Sequence, residues 1–104
     1  MSILDKVRRS AAKRILVLPH AVNQSSRKGW MISGAEIERV VTAGELVEDY
    51  PEDVRGHSCL IMGHGDQGRA IHLVCSPKGE YLSVITAYLP SPAKWSGDFR
   101  RRLR

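Results

Sequence analysis

Residues 68–95 read GRAIHLVCSPKGEYLSVITAYLPSPAKW and carry the clearest structural signal in the chain. Two apolar runs, 70–75 and 81–89, are rich in β-branched and aromatic residues, and Pro77 and Gly79 lie between them. Val, Ile, Thr and Tyr fit a pleated strand, whereas Pro and Gly supply the dihedral angles of a turn. The pattern therefore predicts two neighbouring antiparallel strands joined by a short turn.

Side chains capable of chemistry lie within this hairpin and just beyond it. Two lie within or beside the first strand, two lie within the second, and a cation and an aromatic ring follow. They are Arg69, His72, Thr86, Tyr88, Lys94 and Trp95. We expect the functional site of the protein to lie at this hairpin.

The chain before the hairpin predicts helices followed by two further strands. Residues 2–14 combine a narrow apolar stripe with basic residues, as in an amphipathic helix. Ser33 and Glu36 have the spacing of a capping box, which predicts a helix over 34–43. Apolar runs at 46–50 and 59–62 predict strands, and a short run at 15–18, ended by Pro19, predicts an edge strand.

This order of elements predicts an α+β fold of two layers. One or two N-terminal helices would pack on one face of a four-stranded antiparallel meander, leaving the other face partly open. The length of 104 residues fits a single domain over 15–99, preceded by a basic arm or helix over 1–14 and followed by a basic tail over 100–104. No apolar run approaches the roughly 20 residues that span a bilayer, and no signal peptide is evident, so we expect a cytoplasmic protein with no membrane contact.

The charge of the chain is distributed unevenly. The net charge is +5, yet seven of the eleven acidic residues lie between positions 36 and 53. The remainder is strongly basic, which would attract a polyanion such as RNA, or an acidic protein segment. Simple solubility explains the same charge equally well, so composition alone leaves both readings open.

Metal and cofactor sites are not predicted. His57, Cys59, His64, His72 and Cys75 are scattered, without the CxxC or HxxxH spacing that a structural zinc site normally shows. The two cysteines are expected to be small core residues. Residues 63–68 contain GxGxxG, but between two strands rather than between a strand and a helix, so we interpret this segment as a turn.

Several short motifs, taken in their order and spacing, resemble the domain-of-unknown-function family 4258. They cover about residues 20–99 and comprise His20-Ala21, Ala43-Gly44-Glu45, Tyr50-Pro51, 68–72, 84–88 and Pro92-x-x-Trp95. The sequence departs from the family at Gln24 and Ser25, where Arg and Met are usual. The family is similar in turn to the RelE-like toxins of toxin–antitoxin pairs, which are small basic domains that cut messenger RNA.

The resemblance implies a metal-independent endoribonuclease that cleaves mRNA, which can be ribosome-bound, by attack of the ribose 2′-hydroxyl. It also implies an antitoxin protein that binds the open sheet face or the acidic segment. His72 is then the acid–base candidate, Arg69 holds phosphate, and Tyr88 donates a proton or stacks on a base. Further RNA contacts would come from Thr86, Lys94, Trp95, Arg100 and Arg101.

The alternative is a non-catalytic RNA- or protein-binding module of the same fold. In that case His72 is a hydrogen-bonded core residue, Trp95 closes the end of the core, and the terminal arginines form a solvated tail. The two hypotheses separate on geometry. An enzyme requires Arg69, His72 and Tyr88 to converge on an open basic surface, whereas a binding module can bury His72.

Overall fold

The structure is a computed structural model and describes residues 1–103. Within these residues three α-helices and five strands follow in the order α1 (Ile3–Lys13), β1 (Ile15–Val17), α2 (Pro19–Ser25), α3 (Gly34–Ala43), β2 (Glu45–Tyr50), β3 (Ser58–His64), β4 (Ala70–Pro77) and β5 (Leu82–Tyr88). A short 3₁₀ turn, Asp66–Gly68, links β3 to β4. The predicted α+β class is confirmed. No helix in this part of the chain is long and apolar enough to cross a membrane.

The sheet is mixed and has five strands in the order β1-β5-β4-β3-β2. Strands β2 to β5 form the predicted antiparallel meander, but β1 adds to the free edge of β5 in parallel, with Ile15 opposite Leu82. The prediction of a purely antiparallel four-stranded sheet is therefore wrong. The short apolar run of β1 predicts an edge strand. It does not show which strand β1 pairs with, because that depends on how the chain crosses between distant elements.

The helices pack on one face of the sheet and form the main core with it. Val7 of α1 and Val40 of α3 are fully buried against Ile61, Leu73 and other apolar side chains of the strands. The capping box of α3 is present as predicted, because Ser33 and Glu36 each accept a hydrogen bond from the other's backbone N–H. Residues 3–13, which belong to the predicted basic arm or helix, form an ordered helix, and Val7 of this helix contributes to the core.

The opposite face of the sheet is covered by residues 90–103, which we call the C-terminal strap. Trp95 anchors the strap and is only 4% exposed. Backbone hydrogen bonds from Leu103 to Lys94 and from Ser96 to Arg101 fold the strap back on itself. The sequence predicts that this face of the sheet is partly open. It is instead closed around His72, because Trp95 and the backbone hydrogen bonds of the strap hold the strap there. Arg104, the end of the predicted basic tail, lies outside the described residues.

Candidate nucleic-acid interface

His72 lies in the middle of β4 and faces the C-terminal strap. Directly opposite it on β5 is Tyr88, whose hydroxyl lies 3.0 Å from His72 Nδ1. On the other side, His72 Nε2 lies 2.8 Å from the carbonyl oxygen of Phe99 in the strap. The ring of Trp95 packs edge-on against the imidazole with 4.5 Å between ring centroids. His72 is consequently fully buried, with both ring nitrogens engaged.

The two partners fix the protonation of His72. A carbonyl oxygen can only accept, so Nε2 carries the hydrogen and donates it to Phe99, while Nδ1 accepts from the hydroxyl of Tyr88. Burial lowers the pKa of His72, and the bond to Phe99 opposes that effect only in part. Burial also raises the pKa of Tyr88. At neutral pH the pair is therefore a neutral imidazole bound to a protonated phenol.

Arg69 does not join His72 and Tyr88. Its Nε donates to Glu36 Oε2 at 2.9 Å and its Nη2 donates to Glu36 Oε1 at 2.8 Å. Glu36 is 1% exposed and also accepts backbone N–H groups of Ser33 and Asp66. The paired guanidinium lowers the pKa of Glu36 to about 2. The expected convergence of Arg69, His72 and Tyr88 is absent from this conformation, because the buried carboxylate at the start of α3 holds the arginine.

The structure instead brings Tyr88 together with residues of α2, the following loop and the strap, around a groove of about 400 Å³. We call it the aromatic groove. Three rings line it, namely those of Trp30, Tyr88 and Trp95, together with three cations, Arg27, Lys94 and Arg102. Of the sequence-predicted residues, Tyr88, Lys94 and Trp95 therefore share one site.

Each tryptophan of the groove carries an arginine on its ring. The guanidinium carbon of Arg27 lies 4.7 Å from the ring centroid of Trp30, and that of Arg102 lies 4.7 Å from the ring centroid of Trp95. Contacts of this kind hold a cation against the face of an aromatic ring. The groove thus combines aromatic rings with cations placed beside them.

The cations of the groove differ in how far they are neutralised. Arg102 donates to both carboxylate oxygens of Glu48, at 2.9 and 3.1 Å. Among residues 1–103, neither Arg27 nor Lys94 has a carboxylate within salt-bridge distance, and both are exposed. The groove therefore has an uncompensated positive charge that would favour an anionic ligand.

The remaining predicted RNA contacts lie outside the aromatic groove. Thr86 is half-buried on β5 opposite Val74, and Arg101 is exposed on the strap. Arg100 forms ion pairs with Glu45, at 2.9 Å, and with Asp98. The structure thus separates these three residues from Tyr88, Lys94 and Trp95.

Part of the acidic segment is used within the molecule. Glu36 binds Arg69, and the exposed Glu45 and the half-buried Glu48 on β2 bind arginines of the strap. The pairs of Glu45 and Glu48 link the strap to the edge of the sheet. Because the pair of Glu45 is solvent-exposed, it stabilises the attachment only modestly.

A larger cavity of about 530 Å³ lies beside α1, where Lys6, Arg9 and Lys13 form its cationic rim. Among the described residues, none that lines this cavity has an aromatic ring, and the walls of the cavity are mostly aliphatic. Lys13 is moreover paired with Glu80 at 3.1 Å. We take the smaller aromatic groove as the candidate site because, of these two cavities, it combines cations with aromatic rings among the described residues. Within the described chain, no group of three or more His, Cys, Asp or Glu side chains could hold a metal ion.

Six residues that line the groove were not among the predicted site residues, and three of them, Gln24, Arg27 and Trp30, lie in one segment. The segment that contains them has mixed polarity and no strong periodicity, so it predicted no site. One local signal was present, since Arg27 and Trp30 are three residues apart and such neighbours can stack. That Gln24 reaches the same groove follows only from the packing of α2 beside β5.

Comparison with known proteins gave one match. Residues 17–89, more than half of the chain, match the family model described as "Domain of unknown function (DUF4258)". No curated protein and no solved structure matched the chain. The matched residues extend from β1 to the end of β5 and contain the β4–β5 hairpin, whereas the strap follows them.

Proposed function

We propose that this chain, which belongs to the family described as "Domain of unknown function (DUF4258)", binds single-stranded RNA in the aromatic groove. The observation that carries the proposal is the pairing of each groove tryptophan with an arginine at 4.7 Å, beside Tyr88 and Lys94. Unpaired bases stack on aromatic rings and on guanidinium planes, and the phosphates between them bind Arg and Lys. The resemblance to RNA-cleaving toxins makes RNA the first ligand to test.

The state of His72 favours binding over catalysis. RNA cleavage without a metal requires groups that accept the 2′-hydroxyl proton and protonate the leaving 5′-oxygen. His72 is fully buried, neutral, and engaged by Tyr88 and Phe99. A stacking groove does not need an exposed histidine, so the binding function is compatible with this arrangement.

Both tryptophans of the chain line the aromatic groove, which gives a direct assay. Trp30 is the more exposed of the two, whereas Trp95 is only 4% exposed, so stacking of a base on Trp30 should quench the intrinsic tryptophan fluorescence. We expect an unstructured RNA of about ten nucleotides to quench it saturably, with an affinity that falls as salt rises, because cations of the protein replace counterions of the strand. A DNA strand with the same base sequence is the matched control. Equal binding of the RNA and the DNA would show that the groove does not select RNA.

Two variants test the site. Arg27→Gln and Lys94→Gln should each weaken RNA binding about tenfold, since each removes a charged hydrogen-bond donor. Each should also reduce the slope of log affinity against log salt by about 0.7, the value for one phosphate on a single strand. Lys6→Gln removes the same charge beside α1 and should have little effect. Equal losses in all three variants, or no quenching by RNA, would reject the groove as the binding site.

A second candidate is the metal-independent endoribonuclease implied by the resemblance, favoured by one observation. The hydroxyl of Tyr88 lies at the groove and donates to His72 Nδ1. Tyr88 would take the proton of a ribose 2′-hydroxyl as it passes its own proton to Nδ1, the 2′-oxygen would attack the adjacent phosphorus, and the bond to the 5′-oxygen would break with that oxygen taking a proton from water. Arg69 would have no part in this step, because Glu36 holds it.

The same RNA distinguishes the two functions. Incubation with excess chelator, followed by electrophoresis, should leave the RNA intact if the protein only binds it. Cleavage by the wild type that is lost in Tyr88→Phe, with quenching by RNA retained, would establish the enzyme instead. The Tyr88→Phe substitution removes only the hydroxyl and keeps the ring that lines the groove.

A further inference from the structure

The side chain of Gln24 is held in one orientation at the aromatic groove. Its Oε1 accepts the backbone N–H of Ala87 on β5 at 3.0 Å. An N–H group needs an acceptor, so this contact identifies the oxygen of the carboxamide and leaves Nε2 as its other polar atom. Nε2 has no acceptor among residues 1–103, and Gln24 is partly exposed where it lines the groove. The groove therefore offers a ligand two N–H donors from a fixed amide.

A contact of this kind distinguishes bases by the group they present. Uracil has a carbonyl oxygen at C4 and guanine has one at C6, whereas cytosine has an amino group at C4 and adenine has one at C6. A carbonyl accepts from an amide N–H group. If an amino group stood at that position, its N–H groups would face those of the amide, and neither could accept a hydrogen bond from the other. Both groups would lose the hydrogen bonds that they make with water.

Resting on the RNA-binding function proposed above, we infer that Gln24 makes the aromatic groove select keto bases, uracil or guanine, over amino bases. The rings and cations of the groove supply affinity without regard to the base, because every base has a flat face and every nucleotide a phosphate. The amide donors of Gln24 are fixed by its contact with the backbone of Ala87. Base selection thus depends on one hydrogen bond, which joins Gln24 to Ala87 on β5.

Gln24 also has a structural role, which the choice of variants must respect. Ala87 N–H lies on the side of β5 away from β4, and Gln24 satisfies it. Gln24→Glu keeps an oxygen to accept from Ala87 and replaces the free donor by an acceptor of nearly the same shape. Gln24→Met keeps the length of the side chain and removes both polar atoms.

The test compares uridine and cytidine oligonucleotides of equal length, at one salt concentration, by tryptophan quenching. We expect the wild type to bind oligouridylate about tenfold more tightly than oligocytidylate, as for one hydrogen bond gained rather than lost. In Gln24→Met the ratio should approach one, and in Gln24→Glu it should invert. The ratio within each protein is the readout, because the added negative charge of Gln24→Glu lowers the affinity for both strands alike.

A purine pair provides an independent comparison. An oligouridylate with one central guanine should bind the wild type better than the same strand with one central adenine. Equal binding of uridine and cytidine strands by the wild type, or a preference that survives Gln24→Met, would overturn the assignment. Failure of every RNA to bind would instead reject the RNA-binding function. If Gln24→Glu did not fold, the wild-type ratio and Gln24→Met would still decide the question.

Discussion

Replacement of Arg69 by methionine should destabilise the protein strongly while leaving RNA binding in the aromatic groove unchanged. Methionine keeps much of the aliphatic stem and removes the guanidinium. Glu36, which is 1% exposed, would lose two hydrogen bonds and its counter-charge, and would retain only the N–H groups of Ser33 and Asp66. A buried charge left without its partner is costly.

The structure gives the size of the effect. The pKa of Glu36 is lowered from its ordinary value of 4.5 to about 2, chiefly by the hydrogen bonds to Arg69. A change of that size corresponds to about 3 kcal/mol, which agrees with the roughly 3–5 kcal/mol measured when a buried ion pair loses one partner. We expect urea denaturation at pH 7 to show a loss of about 3 kcal/mol for Arg69→Met.

The dependence on pH has a definite sign. Because the folded pKa of Glu36 is lowered, its pairing stabilises the protein fully above pH 4.5 and less as the pH falls from 4.5 towards 2. The difference between wild type and Arg69→Met should therefore shrink over that range. In a Glu36→Gln background, Arg69→Met should cost much less than in the wild type, since no buried charge is left.

Two results would refute this reasoning. The first is a loss below about 1 kcal/mol at pH 7, the range of an exposed ion pair. The second is simple additivity of Arg69→Met and Glu36→Gln. Weaker RNA binding by a folded Arg69→Met protein would in addition return Arg69 to the candidate phosphate ligands, as the resemblance implied.

Two further predictions concern the covered face of the sheet. Because burial lowers the pKa of His72, its neutral form stabilises the fold above its unfolded pKa of about 6.5, and thermal stability should fall as the pH drops below that value. His72→Gln should flatten this part of the profile, and an unchanged profile would contradict the burial of His72. Trp95→Ala should cost about 3 kcal/mol or more in urea denaturation and expose the C-terminal strap to proteases, whereas a stable, protease-resistant variant would show that other contacts hold the strap.

The parts of the fold that local chemistry determines could be predicted from the sequence. The capping box of Ser33 and Glu36 places the start of α3 within four residues, and the turn residues between β4 and β5 indicate their pairing. Alternation puts Thr86 and Tyr88 on one face of their strand, but whether His72 shares that face depends on the register of the hairpin. Register is set by turn geometry and core packing together, so the alternation alone could not give it.

The candidate site was harder to predict because its contacts are distant in the sequence. Glu36 was recognised as a capping residue, yet nothing in the local pattern shows that the same carboxylate binds Arg69. Only residues 100–104 were interpreted as a tail, because they are mostly arginine and have no apolar period. A single buried ring, Trp95, and the carbonyl of Phe99 hold the strap over His72. Neither contact leaves a periodic signal.

The parallel pairing of β1 with β5 has a consequence for synthesis of the protein on the ribosome. Ile15 is synthesised well before Leu82 and Val84, and β1 can complete its ladder only after these residues have emerged. Until then the edge of β1 and the apolar face of α1 have no sheet partner, and such surfaces are prone to aggregate or to recruit chaperones. Pairing across so long a loop also slows folding. The sheet should therefore be completed only after β5 has emerged from the ribosome.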